Sequence, residues 1–190
     1  MKRMKKLLTG LLTLGMTLSM MTMTAFAAGP TTGTTEKMPT IDFDVNKTGS
    51  ITIHKYEYNG TDGVTGTGAD NQTPPTGAEP LAGVTFKITK IAELNDYYGT
   101  DAKAFPTVEQ AKTMTSIGTP IVQITDENGE AKFNNLSLGL YLVQETDAPA
   151  QITGKVGDFL VSIPMTNADE DDWLYDVHVY PKNKGTYGGV

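Results

Sequence analysis

Cysteine is absent from all 190 residues, which excludes disulfide staples, thiolate metal sites and thiol catalysis together. There is one tryptophan, and the two histidines are a poor zinc set without thiols, so no metal site is expected. Long apolar runs are missing too. The best candidate, Leu7 to Met23, is softened by Thr, Gly and Ser and is too short and polar for a confident membrane span. Positive charge is scarce, at 15 Lys plus Arg against 22 Asp plus Glu. Such a surface repels nucleic-acid phosphates, so no nucleic-acid partner is expected. No Gly-rich phosphate loop and no convincing Ser/His/Asp arrangement occurs. Catalysis on outside substrates is therefore not expected, and no cofactor is implied.

What the N-terminus does contain is an export signal. Lys2, Arg3, Lys5 and Lys6 form a basic start, the apolar stretch follows, and Ala25-Phe26-Ala27 offers small residues for cleavage before Ala28. Residues 1–27 read as a signal peptide, leaving 163 residues and no membrane segment in the mature domain. All four cations of that peptide depart, leaving 11 Lys plus Arg against 22 Asp plus Glu, a net charge of −11. The remainder suits one exported domain with one long excursion. Lacking disulfides, it needs a large core or a covalent bond between other side chains.

Residues 28–45 are rich in Thr, Gly and Pro and read as an exposed lead-in. Ser50–Tyr56 alternates as a first strand, with Ile51, Ile53 and Lys55 on one face. Asn59 to Pro80, with five Gly and three Pro, reads as a loop. A strand begins at Leu81, and Thr107-Val108-Glu109-Gln110 fits a capping box for a short helix over about 107–115. Strand patterns return at Ile121–Thr125, then a turn at Asp126–Gly129 leads to Ala131–Phe133, Leu138–Glu145, Phe159–Pro164 and Tyr175–Tyr180. Short strands with little helix predict an all-β, antiparallel sandwich whose first and last strands are neighbours. Its interior should hold Ile53, Phe86, Phe133, Tyr141, Val143, Val177 and Val179. His54 and His178 take the outward parity, and Asp169–Asp172 reads as a solvated turn with at most weak attraction for Ca²⁺.

The segment Trp173-Leu-Tyr-Asp-Val-His-Val-Tyr-Pro-Lys-Asn183 is the most specific of all. Its alternation groups Val177 and Val179 with Asn183, and His178 and Tyr180 with Lys182. It resembles the pilin motif of the shaft subunits of sortase-assembled pili in Gram-positive bacteria, with Trp173, Val177, Val179, Tyr180 and Pro181 framing the lysine. Pro80–Phe86, Gly129-x-x-x-Phe133-x-x-Leu136, and Leu138–Glu145 followed by Ala148-Pro149 resemble the collagen-adhesin B-repeat, an immunoglobulin-like sandwich. Together the resemblance covers 46–185 in order. It implies an immunoglobulin-like antiparallel β-sandwich with a partly helical insertion at about 93–120, and 186–190 as a tail or the start of a linker.

The resemblance also implies chemistry. Lys182 would be the amine that a class C-type sortase joins to the C-terminus of the next subunit, giving a covalent homopolymer of neighbouring pilins in a cell-wall-anchored surface pilus. Lys55 and Asn183 would form an internal isopeptide bond, assisted by the carboxyl group of Glu145. A Leu-Pro-x-Thr-Gly sorting signal is implied but not contained in this sequence. The chain is thus expected to be a fragment of a longer subunit, or to serve only as an acceptor. An adhesin or accessory pilin module that binds host surface ligands is the alternative function. A carbohydrate-active sandwich enzyme would need two carboxylates facing each other across a cleft.

Overall fold

Period-two runs of Val, Ile, Thr and aromatic residues turn one face of each long strand inward. The computed structural model describes residues 46–184 apart from 59–65, 71–72, 75, 99–101, 151, 153 and 168–171, and without the side chains of 58 and 182–184. The segments expected to be signal peptide (1–27), lead-in and tail, and residues 169–171 of the expected acidic turn, lie outside the described residues, which start at residue 46.

The strands in chain order are β1 (Thr48–His54), β2 (Tyr56–Tyr58), β3 (Glu79–Pro80), β4 (Thr85–Ala92), β5 (Ile121–Ile124) and β6 (Glu130–Ser137). They continue with β7 (Gly139–Asp147), β8 (Phe159–Ile163), β9 (Met165–Thr166), β10 (Trp173–Leu174), β11 (Asp176–Val179) and β12 (Lys182–Lys184). A sheet ordered β11-β1-β6 faces a second ordered β5-β4-β7-β8. Between them lies the main core, which includes Ile51, Ile53, Phe86, Phe133, Tyr141, Val143, Val161, Val177 and Val179. All seven residues expected inside are buried there.

The expected sandwich is present, with one refinement of strand direction. Most neighbours are antiparallel, but β11 runs parallel to β1 and β12 parallel to β2. A parallel neighbour requires a crossover, and here nearly the whole domain intervenes between β1 and β11. Ser50 pairs with Asp176 and Tyr56 with Lys182, the same sequence offset before and after Lys55. The first and last strands therefore stay in one register from end to end. Only the other neighbour changes, from β6 beside β1 to β3 beside β2.

The segment over 93–120 covers the outer face of the four-stranded sheet. Thr107 caps helix α1 (Val108–Thr113): its hydroxyl accepts from the Gln110 N–H, and the Gln110 side chain accepts from the Thr107 N–H. That satisfies two of the donors a helix start leaves open. Ala111 and Tyr97 then pack on Leu140, Leu142 and Leu160, whose parity points away from the main core. Hence β7 is buried on both faces. At the sheet's edge β5 keeps Ile121, Val122 and Ile124 exposed despite their apolar character.

Burial separates two apolar strand residues that look alike in sequence. Phe133→Ala should lower the unfolding free energy by about 3–5 kcal/mol through lost burial and a cavity. Ile124→Ala should change it by no more than about 0.5 kcal/mol. Urea midpoints of the two variants decide this, and equal losses would contradict the sandwich as described.

Candidate functional site

The alternation Ile51, Ile53, Lys55 drives a lysine into the core, and Lys55 has no solvent-exposed surface at all. Its backbone is clamped on both sides. The Lys55 N–H donates to the Gly129 carbonyl at 2.7 Å, and its carbonyl accepts from the Leu81 N–H at 3.0 Å. Gly129 has a positive φ of 74°, and a Cβ there would stand 2.2 Å from the Lys55 carbonyl oxygen. Only glycine satisfies both conditions.

Glu145 reaches the same place from β7, where Tyr141, Val143 and Glu145 share the inward parity. Lys55 Nζ donates to Glu145 Oε2 at 3.0 Å, with both side chains fully buried. The Val156 N–H donates to that oxygen at 3.2 Å. Phe86, which pairs with Glu145 across β4 and β7, sets its ring centroid 5.8 Å from Nζ. Glu145 Oε1 is buried without a hydrogen-bond partner among the described residues. Burial pulls the Lys55 pKa down from 10.5 to about 8, against the opposing pull of Glu145. Near neutrality a usable fraction of this amine is therefore unprotonated and nucleophilic.

The remaining expected residues sit along the neighbouring strand. Val177 and Val179 are core residues, and Tyr180 and Pro181 are buried at the corner where β11 gives way to β12. Trp173 packs in a satellite cluster with Leu94, its ring 5.3 Å from Tyr98 and nearly perpendicular to it. Lys182 and Asn183 lie in β12 beside Tyr56 and Glu57, and their side chains are outside the described residues. The structure thus brings Lys55 and Glu145 into contact and runs the backbone of Lys182 and Asn183 past them.

Sequence reasoning did not single out Val156 or Thr125. The Thr125 hydroxyl donates to the Leu81 carbonyl at 2.8 Å and accepts from the Val84 N–H at 2.9 Å, tying down the segment that clamps Lys55. A lone threonine at a strand end gives no pattern to find it by. His54 and His178 keep the outward parity expected, but their rings meet, which spacing alone did not indicate.

The lowered pKa has a definite sign in stability. Between pH 8 and 10.5 the unfolded chain holds a proton that folded Lys55 has released, so stability rises with pH. The slope approaches about 1.4 kcal/mol per pH unit. An Asn183→Ala variant keeps Lys55 as an amine, and the double variant with Lys55→Met removes its titration while cancelling that of the tyrosines. The stability of the first relative to the second should climb from pH 8 upward. A difference that does not vary with pH would mean Lys55 titrates normally.

Comparison with known proteins follows the same outline. Residues 46–184 match the family model described as Gram-positive pilin subunit D1, N-terminal domain. The chain is 38% identical over 156 residues to the fimbrial subunit type 1 of Actinomyces viscosus, covering 80% of this chain and 28% of that protein. It is 34% identical over 164 residues to the fimbrial subunit type 2 of Actinomyces naeslundii, covering 75% and 30%. Among solved structures, the full-length major pilin SpaD of Corynebacterium diphtheriae superposes with a TM-score of 0.61 at 42% identity, covering 75% of this chain and 33% of that one. The chain thus spans about a third or less of the length of these relatives. With its matched span coinciding with the sandwich that holds the buried lysine, the chain belongs to the Gram-positive pilin subunit family.

Proposed function

We propose that the protein is a structural subunit of a covalently polymerised surface pilus, and that Lys182 is the acceptor amine which a class C-type sortase links to the next subunit. The observation that carries this reading is the unbroken parallel register of the first and last strands. It ties the pilin-motif segment to the most buried part of the domain. It also sets residue 182 beside Tyr56, in the outward-parity series of 52, 54 and 56. A reactive amine presented from a fixed strand suits an enzyme that must find the same nucleophile on every subunit.

The same register supports an internal bond. Residue 183 pairs with Glu57, two positions beyond Lys55 on one parity. In this reading the unprotonated Lys55 Nζ attacks Cγ of Asn183 and the new amide C–N bond forms. Glu145 takes the proton released by the amine and delivers it to the departing amide nitrogen, which leaves as ammonia. The open Oε1 of Glu145 gives that proton a place to go. Closing a loop of well over a hundred residues restricts the unfolded chain by about 4–5 kcal/mol on the entropy model developed for disulfides.

Two measurements test the two parts separately. Lys182→Ala should leave the domain folded and exported while the high-molecular-weight ladders disappear from cell-wall extracts, and persisting ladders would sink the acceptor assignment. The intact mass of the purified domain should fall one ammonia short of the sequence mass, with Glu145→Ala restoring full mass and lowering Tm. A full-mass wild-type domain would show that the internal bond does not form spontaneously.

A further inference from the structure

On the face of β1 opposite Lys55, a second cluster of chemically capable groups assembles. His54 Nε2 and His178 Nδ1 are 2.8 Å apart. Asp70 Oδ1 lies 3.4 Å from His178 Nδ1 and 3.9 Å from His54 Nε2. On its other side, His54 Nδ1 faces Glu130 Oε1 at 3.4 Å. We infer that His54 Nε2, His178 Nδ1 and Asp70 Oδ1 form a binding site for a divalent transition-metal ion of the Zn²⁺ type, with Glu130 orienting the His54 ring.

The three groups already converge, and an ion would need only to part the two facing nitrogens from 2.8 Å to about 3.3 Å in place of the proton they share. A tetrahedral ion with ligands at 2.0–2.1 Å holds them about 3.3 Å from one another, and the three separations fall on both sides of that value. The donor set of two imidazole nitrogens and one carboxylate oxygen suits Zn²⁺, Cu²⁺ or Ni²⁺, whereas Ca²⁺ and Mg²⁺ select oxygen ligands. In the tautomer that carries its proton on Nδ1, which faces Glu130 Oε1 at 3.4 Å, His54 would present the Nε2 lone pair to the ion. A carboxylate behind a ligating histidine is a recurrent support of such sites. His178 would ligate through Nδ1 in the tautomer that carries its proton on Nε2.

The parts are also held in place. Tyr180 stacks on the His54 ring at 4.5 Å and 8°, which fixes its plane. The backbone N–H of His178 donates to the Gly68 carbonyl at 2.7 Å, pinning the loop that carries Asp70 against β11. Gly68 has a φ of 82°, a left-handed backbone conformation that favours glycine, and the loop there runs against the Met165 side chain. The histidine side chains are 7% and 16% exposed and Asp70 is 71% exposed. The site thus opens to solvent on the Asp70 side, leaving a fourth position for water. It joins β1, β11 and the long loop, and nothing in it depends on the linkage chemistry of Lys182.

The test is a titration of the tag-free protein with Zn²⁺, followed by calorimetry and by Tm. One equivalent should bind and raise Tm, Ca²⁺ should have no such effect, and Co²⁺ should give the visible absorption of a low-coordinate site. Asp70→Asn, at an exposed position that leaves the fold intact, should weaken binding at least tenfold. Glu130→Gln should weaken it about tenfold through loss of ring orientation, and His178→Gln should remove the Co²⁺ band. Failure of the wild-type protein to bind one equivalent overturns the inference, as does binding unchanged by both Asp70→Asn and His178→Gln.

Discussion

The ion pair between Lys55 and Glu145 is the constraint on which the rest of the domain depends. Removing two charges from water costs several kcal/mol per ion, and their attraction offsets this only with good geometry and further hydrogen bonds. Lys55 Nζ meets Glu145 Oε2 at 3.0 Å, and the Val156 N–H supports that oxygen. The Lys55 backbone is held by Gly129 and Leu81, while Phe86 offers its ring to the amine. Both sheets and two connecting segments therefore meet at one pair of atoms. If β1 slid by one residue against its neighbours, Lys55 would leave its carboxylate and Ile53 would leave the core.

Adjacent residues of the first strand carry different chemistry to opposite faces of the sheet. Lys55 faces a dry interior where an amine loses its proton readily. His54 faces a shallow site, roofed by Tyr180 and a loop, that water can reach. Pleating alone keeps the two apart, since successive side chains point to opposite faces. His54 and His178 come from β1 and β11, whose register organises the imidazole cluster, whereas the amine meets Glu145 of β7 and Phe86 of β4.

Much of this was legible in the sequence wherever period two decides the answer. The series Ile51, Ile53, Lys55 and Tyr141, Val143, Glu145 turn inward as their spacing requires, and Val177 and Val179 follow. The capping box of Thr107 and Gln110 is local chemistry and appears where its pattern lies. The parallel sense of β11 against β1 was not legible, because strand direction is set by crossovers far along the chain. Exposure of Ile121, Val122 and Ile124 was hidden for a related reason: only the sheet order makes β5 an edge. Asp70 lies in a Gly-rich loop without periodicity, so nothing in its sequence context indicated that it faces two histidines. Burial of His54 on an outward parity likewise comes from a loop and an aromatic ring that the strand pattern does not contain.

The parallel run of β11 and β12 against β1 and β2 has a mechanical consequence. Tension on the chain beyond Lys184, directed along the strand, would slide the last strand past the first rather than peel it away. Every hydrogen bond along the shared ladder is then loaded at the same time, in shear, and none can open alone as the teeth of a zipper do. A hairpin pulled from its open end gives way one pair at a time. This sheet instead yields only when a whole row of bonds fails together.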